Sequence, residues 1–410
     1  MSSVLAINGG TKTRTKPFPQ WPVWTNDDEA ALLGVLRSGK WGRFGEEASR
    51  VQEFERAFAA YQGAKFGTAV VNGTAALRVA LLAAGLREGD EVIVPPYTFQ
   101  ATATAVIETN GVPVFTDIHP DSYNLDPDKI EAAITLQTRA IIPVHFAGQA
   151  ANMDRIMTIA RRRNLIVIED AAHAHGAEYK GRRLGSIGHM GCFSFQSSKN
   201  LTSGEGGIVI TNDERYAAVC YSVHNCGRTP DSEWYDHRVL GMNLRLTEFQ
   251  AAVLLSGLKR LDEQTAIRDA NGRYLNERLE QIPGIRPFPR GQGETRHSYH
   301  LYMFRYDSAE FGGVPRARFL EALAAEGIPC SCGYGVPLYK QTFFQKKAFG
   351  PYMASRHPVD YTSVHCPVCE KACAEEACWL THPMLLGTRD DMDDIVRAVS
   401  KIHDHRKELQ

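Results

Sequence analysis

The stretch Leu165-Ile-Val-Ile-Glu-Asp170 decides the fold, because a continuous apolar run of this kind is typical of a strand that is buried on both faces of a sheet. Similar runs occur at residues 67–71, 91–94, 112–117 and 140–144. The stretches that separate them have helical length and are rich in Ala, Leu or Ile: 74–85, 101–110, 127–134 and 152–163. This alternation predicts a three-layer α/β domain with a mainly parallel sheet. Two more runs, 191–195 and 207–211, lie close together in the chain and predict adjacent strands.

The second half of the chain follows a different pattern. Helical periodicity dominates residues 247–281, 316–326 and 390–405, and a strand-like stretch covers 298–306. The sequence therefore predicts three parts. These are an N-terminal arm with helices over 1–60, a large domain over 61–245 and a smaller α+β domain over 246–410.

Composition restricts the classes of protein to which this chain can belong. Its 46 Lys and Arg residues nearly balance 47 Asp and Glu residues, so the net charge of −1 provides no global attraction to nucleic acid or anionic lipid. No apolar stretch approaches the roughly 18 residues of a membrane helix, and the N-terminus does not resemble a signal peptide. Nine cysteines, an odd number, suit reduced thiols in the cytoplasm. We expect a cytoplasmic enzyme with no nucleic-acid or membrane partner.

Two candidate site segments follow predicted strands. Asn72-Gly73-Thr74 opens a predicted helix, and the free N–H groups at a helix start can bind an anion such as phosphate. The same residues also suit a plain turn in which Thr74 is the N-cap. Asp170 ends its strand at the sheet edge where open α/β folds bind ligands, and it also suits an N-cap for the residues that follow.

Two further candidates are a lysine and an aromatic ring. Lys199 lies in a polar, glycine-rich loop after the run 191–195, where its amine could form a Schiff base while Ser194 holds a phosphate. An ordinary solvated lysine is the alternative. Phe99 follows two prolines and could stack on a flat ligand or belong to the core. A phosphate cup, an aromatic ring, a carboxylate and a lysine are together the parts needed to hold pyridoxal 5'-phosphate, so the combination predicts an enzyme that uses this cofactor.

Several motifs, in this order, resemble those of one enzyme family. They are Val71-Asn-Gly-Thr-Ala-Ala-Leu77, Pro95-Pro-Tyr-Thr-Phe-Gln-Ala-Thr-Ala103, Val167-Ile-Glu-Asp-Ala-Ala-His-Ala-His-Gly176, the loop 193–207 and Gly241-Met-Asn-Leu-Arg-Leu-Thr-Glu-Phe-Gln-Ala-Ala252. On these motifs the chain is identified as a member of the DegT/StrS-type family of pyridoxal-phosphate aminotransferases over nearly its whole length. The resemblance implies the fold-type I architecture and a homodimer whose subunits share active sites.

The resemblance also implies roles for individual residues. Lys199 would be the catalytic residue and carry the cofactor as an internal aldimine. Asp170 would face the pyridine nitrogen, Phe99 would stack on the ring, and His173 would lie near the phenolic oxygen. The phosphate would be held by Gly73, Thr74 and Ser194 of one subunit and by Asn243 of the other. Four further residues are candidate substrate contacts, although surface salt bridges would explain such residues equally well: Arg228, Arg245, His300 and Tyr334.

The reaction that the resemblance implies is transfer of an amino group from glutamine or glutamate to a cyclic ketone, such as a keto-sugar or a scyllo-inosose-like ketocyclitol. Residues 169–177, 193–196 and 224–228 look closest to the branch that makes aminocyclitols and aminohydroxybenzoate, a setting of antibiotic and amino-sugar biosynthesis. Two alternatives stay open: a cofactor-binding regulatory protein and a pyridoxal-phosphate-dependent sugar dehydratase. Some related dehydratases have His at the position of Lys199.

Two sequence features suggest a metal site, and we set both aside. Cys366, Cys369, Cys373 and Cys378 have the short spacing of zinc or iron–sulfur ligands. Residues 370–380 are Ala-rich, however, and predict a helix that spreads these cysteines over more than one face, so we expect buried free thiols and no metal. His173-Ala-His175 could also be a ligand pair, but the resemblance gives His173 a cofactor role and leaves His175 structural.

Overall fold

A computed structural model describes residues 4–42 and 49–410 of the chain. The α-helices are α1 (Asn26–Ser38), α2 (Arg50–Tyr61), α3 (Gly73–Ala83), α4 (Ala101–Glu108), α5 (Pro127–Ala133), α6 (Met153–Arg163), α7 (Glu214–His224), α8 (Glu248–Leu279), α9 (Arg316–Ala325), α10 (Thr342–Gln345), α11 (Pro367–Lys371) and α12 (Arg389–Asp404). The strands are β1 (Phe66–Val70), β2 (Glu91–Val94), β3 (Val112–Phe115), β4 (Thr138–Ile141), β5 (Ile166–Asp170), β6 (Glu178–Tyr179), β7 (Arg182–Arg183), β8 (Met190–Ser194), β9 (Gly207–Thr211), β10 (Ile285–Pro287), β11 (Glu294–Arg296), β12 (Leu301–Tyr306) and β13 (Ala377–Thr381).

The central sheet has seven strands in the order β1-β9-β8-β5-β4-β2-β3. Its strands from β8 to β3 pair in parallel, whereas β9 is antiparallel to both β1 and β8. Val92 and Val94 pack in one apolar cluster and Ile93 packs in another, because successive side chains of a strand point to opposite faces. The sheet is therefore buried on both faces. The predicted mainly parallel α/β/α architecture is confirmed, and so is the pairing of β8 with β9.

A smaller antiparallel sheet, β10-β12-β13, packs with α8, α9 and α12 around a third apolar cluster. Leu5 of the N-terminal arm is fully buried in this cluster. Arg14 of the same arm is buried, and its guanidinium lies 2.7 Å from both Asp391 and Asp394 of α12. The arm is thus anchored on the C-terminal part of the chain. The predicted domain boundary between residues 245 and 246 stays a prediction. Among the described residues, no helix has the length and apolar character needed to cross a membrane.

The cysteine-rich segment corrects one prediction. Instead of a helix over 370–380, α11 continues into a π-helix, Ala372–Glu376, which gives way to strand β13. The helical prediction is wrong for residues 377–380, because β12 offers a pairing edge that the local Ala-rich pattern does not reveal. Cys366, Cys369, Cys373 and Cys378 are buried free thiols. Within the described ranges, no group of three His, Cys, Asp or Glu side chains is arranged to hold a metal ion.

Candidate active site

A cavity of about 800 Å³ lies where strands β1, β5 and β8 of the central sheet end. This is the edge at which open α/β sheets bind ligands. The cavity is lined by residues that follow these strands, by residues of the smaller sheet and by one residue of the N-terminal arm. The predicted site residues among them are Gly73, Thr74, Phe99, Asp170, His173, Ser194, Lys199, His300 and Tyr334.

Lys199 reaches the cavity from the loop that follows β8. The loop is closed by main-chain hydrogen bonds, including one from Phe195 N–H to the Gly206 carbonyl oxygen at 2.8 Å and one from Lys199 N–H to the Gln196 carbonyl oxygen at 2.8 Å. Burial of the amine lowers the pKa of Lys199 to about 8, although nearby Asp170 acts in the opposite direction. About one-tenth of this amine is therefore neutral and nucleophilic at pH 7, far more than for an ordinary lysine.

Asp170 is the last residue of β5 and is 6% exposed. Its Oδ2 accepts a 2.8 Å hydrogen bond from the Thr102 hydroxyl, and its Oδ1 accepts a 3.2 Å bond from the Ala172 N–H. Burial raises the pKa of Asp170, while these bonds and the charge of Lys199 act against the rise. The carboxylate is held in one orientation and is available to a cationic N–H group in the cavity.

The segment Asn72-Gly73-Thr74 forms the start of α3. The N-cap is Asn72, whose side chain accepts a 2.8 Å bond from the Ala75 N–H, so the alternative in which Thr74 is the N-cap is wrong. A Cβ added to Gly73 would lie 2.7 Å from the Cβ of Ser194, closer than packed carbon atoms approach. Glycine is needed here because the helix start and the end of β8 meet directly. Together they present main-chain N–H groups and two hydroxyls, a donor set that suits phosphate.

His173 and His300 are neighbours in the cavity wall, with ring centroids 4.1 Å apart. The Nδ1 of His173 accepts a 3.2 Å hydrogen bond from the Ala147 N–H, which leaves its Nε2 as the protonated nitrogen. Burial lowers the pKa of both histidines well below the ordinary value, and the charge of Lys199 lowers it further. Both rings are neutral at pH 7, so His173 can offer an N–H group to an oxygen in the cavity.

Three of the predicted residues lie outside the cavity of their own chain. Asn243 is exposed and pairs with Asn225, and the Nη1 of Arg245 donates to Asn225 Oδ1 at 3.1 Å. Arg228 donates from Nε to the Trp234 carbonyl oxygen at 2.6 Å and lies over the Trp234 ring. The strip 243–245 runs beside the end of β1, next to the phosphate cup, since Val70 pairs with Arg245. Their predicted roles need a second subunit and stay predictions.

The sequence did not single out three further cavity residues: Trp21, Trp379 and His382. Trp21 comes from the N-terminal arm, and its Nε1 donates to the Ser197 carbonyl oxygen at 3.0 Å, beside the lysine loop. Trp379 lies on β13 and donates from Nε1 to the Tyr97 hydroxyl at 3.1 Å. His382 packs edge-on against Trp21, with ring centroids 4.5 Å apart. No local pattern marks these residues, because only the packing of distant segments brings them to the cavity.

Comparison with known proteins gives a consistent result. The sequence model of the DegT/DnrJ/EryC1/StrS aminotransferase family matches residues 23–400. An L-glutamine:2-deoxy-scyllo-inosose aminotransferase of Streptoalloteichus tenebrarius is 40% identical over 422 residues, which cover 99% of each chain.

Two solved structures share the fold at nearly full length. The crystal structure of 3-amino-5-hydroxybenzoic acid synthase has a TM-score of 0.86 and 34% sequence identity, and the match covers 96% of this chain and 100% of that chain. The structure of NtdA from Bacillus subtilis, with the bound cofactor PMP, has a TM-score of 0.81 and 26% identity, with 96% and 87% covered.

Proposed function

This chain belongs to the DegT/DnrJ/EryC1/StrS aminotransferase family, and from that premise we propose that it transfers the amino group of glutamine to the carbonyl carbon of a ketocyclitol. The enzyme is a pyridoxal-phosphate-dependent aminotransferase. The observation that carries the proposal is that Lys199 and Asp170 line one cavity together with a phosphate-binding helix start. Related dehydratases with His at the position of Lys199 cannot hold the cofactor covalently, whereas Lys199 is present here, and a cofactor-binding regulatory protein would show no turnover.

The residues of this cavity fit the cofactor. The helix start at Gly73 and the hydroxyls of Thr74 and Ser194 suit its phosphate. Asp170 is buried, and no Lys, Arg or His nitrogen of the described chain forms a salt bridge with it, so it can receive the protonated ring nitrogen. Phe99 is 58% exposed at the cavity, which leaves the face of its ring accessible for stacking. When bound, the cofactor supplies an aldehyde that takes up amines and a ring that withdraws electrons.

The protein's own groups then have distinct tasks. Lys199 would hold the cofactor through its amine, and the same amine, when free, would be placed to accept a proton from the reacting carbon and to return it. Asp170 would favour the protonated ring nitrogen through its charge, and the Thr102 hydroxyl keeps the carboxylate in place. His173 would offer its Nε2–H to the phenolic oxygen of the cofactor, because its Nδ1 already accepts a hydrogen bond from the Ala147 N–H.

Several features of the cavity wall support a polyhydroxylated cyclic substrate. His300, Tyr334 and Trp379 provide hydrogen-bonding groups and aromatic faces on the wall away from the sheet. A flat, hydroxyl-rich ring matches such a wall, since aromatic faces pack on C–H groups while polar tips bind hydroxyls. The Streptoalloteichus relative is named for this type of substrate and for glutamine as the donor.

The proposal includes a cytoplasmic homodimer. Asn243 would complete the phosphate site of the partner, and Arg228 and Arg245 would contact the substrate there. Large apolar side chains that are exposed on one chain support an interface, namely Trp24, Trp41, Trp234, Tyr235 and Leu240.

The proposal can be tested with purified protein loaded with pyridoxal phosphate. L-glutamine labelled with ¹⁵N at its α-amino group would be supplied with 2-deoxy-scyllo-inosose, and mass spectrometry would follow the label. We expect labelled aminocyclitol to form. Label that appears only in a keto-sugar of a parallel panel would overturn the ketocyclitol assignment, and absence of transfer to every ketone would overturn the aminotransferase proposal.

A further inference from the structure

Three histidines form a row along one side of the cavity, and we call His173, His300 and His382 the imidazole row. Adjacent ring centroids are 4.1 Å and 5.7 Å apart, and all three residues line the cavity together with Lys199. Hydrogen bonds inside the protein fix which nitrogen of each ring carries the proton. The row therefore offers the cavity a defined pattern of donors and acceptors.

The tautomer of His300 follows from its neighbour Asn200. The side-chain amide nitrogen of Asn200 donates to the Ser298 carbonyl oxygen at 2.8 Å, so Oδ1 is the atom that faces His300 Nδ1 at 3.2 Å. An amide oxygen only accepts hydrogen bonds, and therefore Nδ1 of His300 carries the proton. Its Nε2 is left with a lone pair, and no described residue donates a hydrogen bond to it.

His382 is the opposite tautomer, but it too keeps one nitrogen whose lone pair has no donor. Its Nε2 lies 3.0 Å from the Ser198 carbonyl oxygen, so this nitrogen carries the proton, and its Nδ1 is buried with no hydrogen-bond partner in the described chain. Two of the three rings thus hold a lone pair that lacks a donor. Because Trp21 packs against His382, His300 is the member better placed to use its lone pair on a ligand.

The charges in the cavity make the lone pair on His300 Nε2 selective between charged and uncharged groups of a ligand. Among the described lining residues that one chain contributes, Lys199 is the one Lys or Arg side chain, and it would be committed to the cofactor, so no cation of the same chain stands beside His300 to receive a carboxylate. A ligand carboxylate beside His300 would meet a lone pair and no hydrogen, since a carboxylate only accepts. A carboxamide or a hydroxyl carries the hydrogen that the Nε2 lone pair lacks.

We propose that His300 is a specificity-determining residue that accepts, through Nε2, a hydrogen bond from an uncharged N–H or O–H group of the bound substrate. Asn200 is its positioning residue. The inference rests on the proposed function and sharpens it, because such an acceptor distinguishes the carboxamide of glutamine from the carboxylate of glutamate. The hydroxyls of a ketocyclitol can donate the same hydrogen bond. Measuring the two half-reactions separately shows whether the carboxamide or a hydroxyl donates it.

The test compares His300→Phe with the wild-type holoenzyme in each half-reaction. The first is measured by mixing the loaded enzyme with L-glutamine or L-glutamate, the second by mixing the aminated enzyme with 2-deoxy-scyllo-inosose. We expect the variant to lose roughly tenfold in kcat/KM, mainly through KM, with the substrate that donates the bond, and little with glutamate. A loss with glutamine alone identifies the carboxamide as the donor, and a loss with the cyclitol alone identifies a hydroxyl.

A matched control is His297→Phe. His297 is equally buried, and its ring stacks on Tyr299 at 3.7 Å, but it does not line the cavity, so its variant should keep the wild-type ratio of glutamine to glutamate. If His300→Phe also keeps that ratio and the cyclitol rate, the inference about His300 is wrong. If the wild-type protein itself transfers no amino group, the proposed function fails instead.

The role of Asn200 has its own test. In Asn200→Asp a carboxylate faces His300 Nδ1 and favours the doubly protonated ring, which turns Nε2 into a donor. We expect the KM for glutamate to fall and that for glutamine to rise, and ¹⁵N NMR of histidine-labelled protein to show protonation at Nε2 of His300. Folded protein that has this NMR signature and unchanged donor preference would overturn the assignment; if the variant does not fold, His300→Phe decides.

Discussion

The cavity has two walls of different origin. The sheet wall consists of Gly73, Asp170, Ser194 and Lys199, each of which lies at or just after the end of a strand of the central sheet. The remote wall consists of Trp21, His300, Tyr334, Trp379 and His382, which come from the N-terminal arm and from the second half of the chain. One wall carries the groups that would bond to the cofactor, and the other faces the space left for substrate. We infer that the sheet wall controls the rate of the chemistry and the remote wall controls the choice of substrate.

The largest effect is expected for the covalent residue of the sheet wall. Lys199→Ala removes both the nucleophile and the proton carrier, so turnover should fall by roughly 10³-fold or more. Circular dichroism and thermal unfolding should stay close to wild type, because an alanine leaves no clash in the cavity. Transfer of ¹⁵N from glutamine is the measurement. Turnover near the wild-type rate would show that another group carries the chemistry.

A smaller loss is expected for the carboxylate on the same wall. Asp170→Asn keeps the shape and the bond from Thr102 but removes the charge that favours a protonated ring nitrogen, so kcat should fall on the order of 10²-fold. The KM for glutamine should change little. Thr102→Val is the matched control: it removes the bond that orients the carboxylate and the 3.0 Å bond between the Thr98 and Thr102 hydroxyls but leaves the charge of Asp170, so its loss should be milder. A variant with altered KM and normal kcat would place Asp170 in substrate binding.

The difference between the walls also explains what the sequence could predict. The strands of the central sheet were recognisable as apolar runs, and residues at their ends share one edge, so Asp170 and Lys199 could be expected to meet. The motifs around them added the family resemblance. Trp21 and His382 have no such signal, because their position depends on how the arm and the segment after β13 pack around the lysine loop.

One error has the same cause. Residues 377–380 belong to the stretch 370–380 that was predicted as helical from its Ala-rich composition, and they include the cavity residue Trp379. The segment is a strand because Leu301–Tyr306 pairs with it from far away in the sequence. Pairing with a strand that is distant in the sequence outweighed the local helical propensity.

The pH dependence of cofactor uptake tests the environment of Lys199. Burial lowers the pKa of this amine from 10.5 to about 8, so about one-tenth of it is neutral at pH 7 and most of it is neutral at pH 9. Covalent uptake of pyridoxal phosphate by the cofactor-free protein should therefore rise roughly tenfold between these pH values and then level off. An ordinary lysine would continue to gain up to about pH 10. Stopped-flow absorbance would follow uptake, with non-covalent binding by Lys199→Ala as the control.

The smallest effect is expected on the remote wall. Trp379→Phe keeps an aromatic face but removes the 3.1 Å hydrogen bond to the Tyr97 hydroxyl and leaves space beside Tyr334, whose ring centroid lies 4.9 Å away. Within the described chain, no hydrogen bond links the Trp379 side chain to Lys199 or Asp170, so kcat with the best substrate should stay within a few-fold of wild type. The KM for the cyclic ketone should rise by up to about tenfold. Bulkier ketones should be accepted relatively better than in the wild type, since the added space favours them. Steady-state kinetics with a series of ketones would measure both quantities. A large fall in kcat with unchanged KM would mean that the two walls do not divide chemistry from selection.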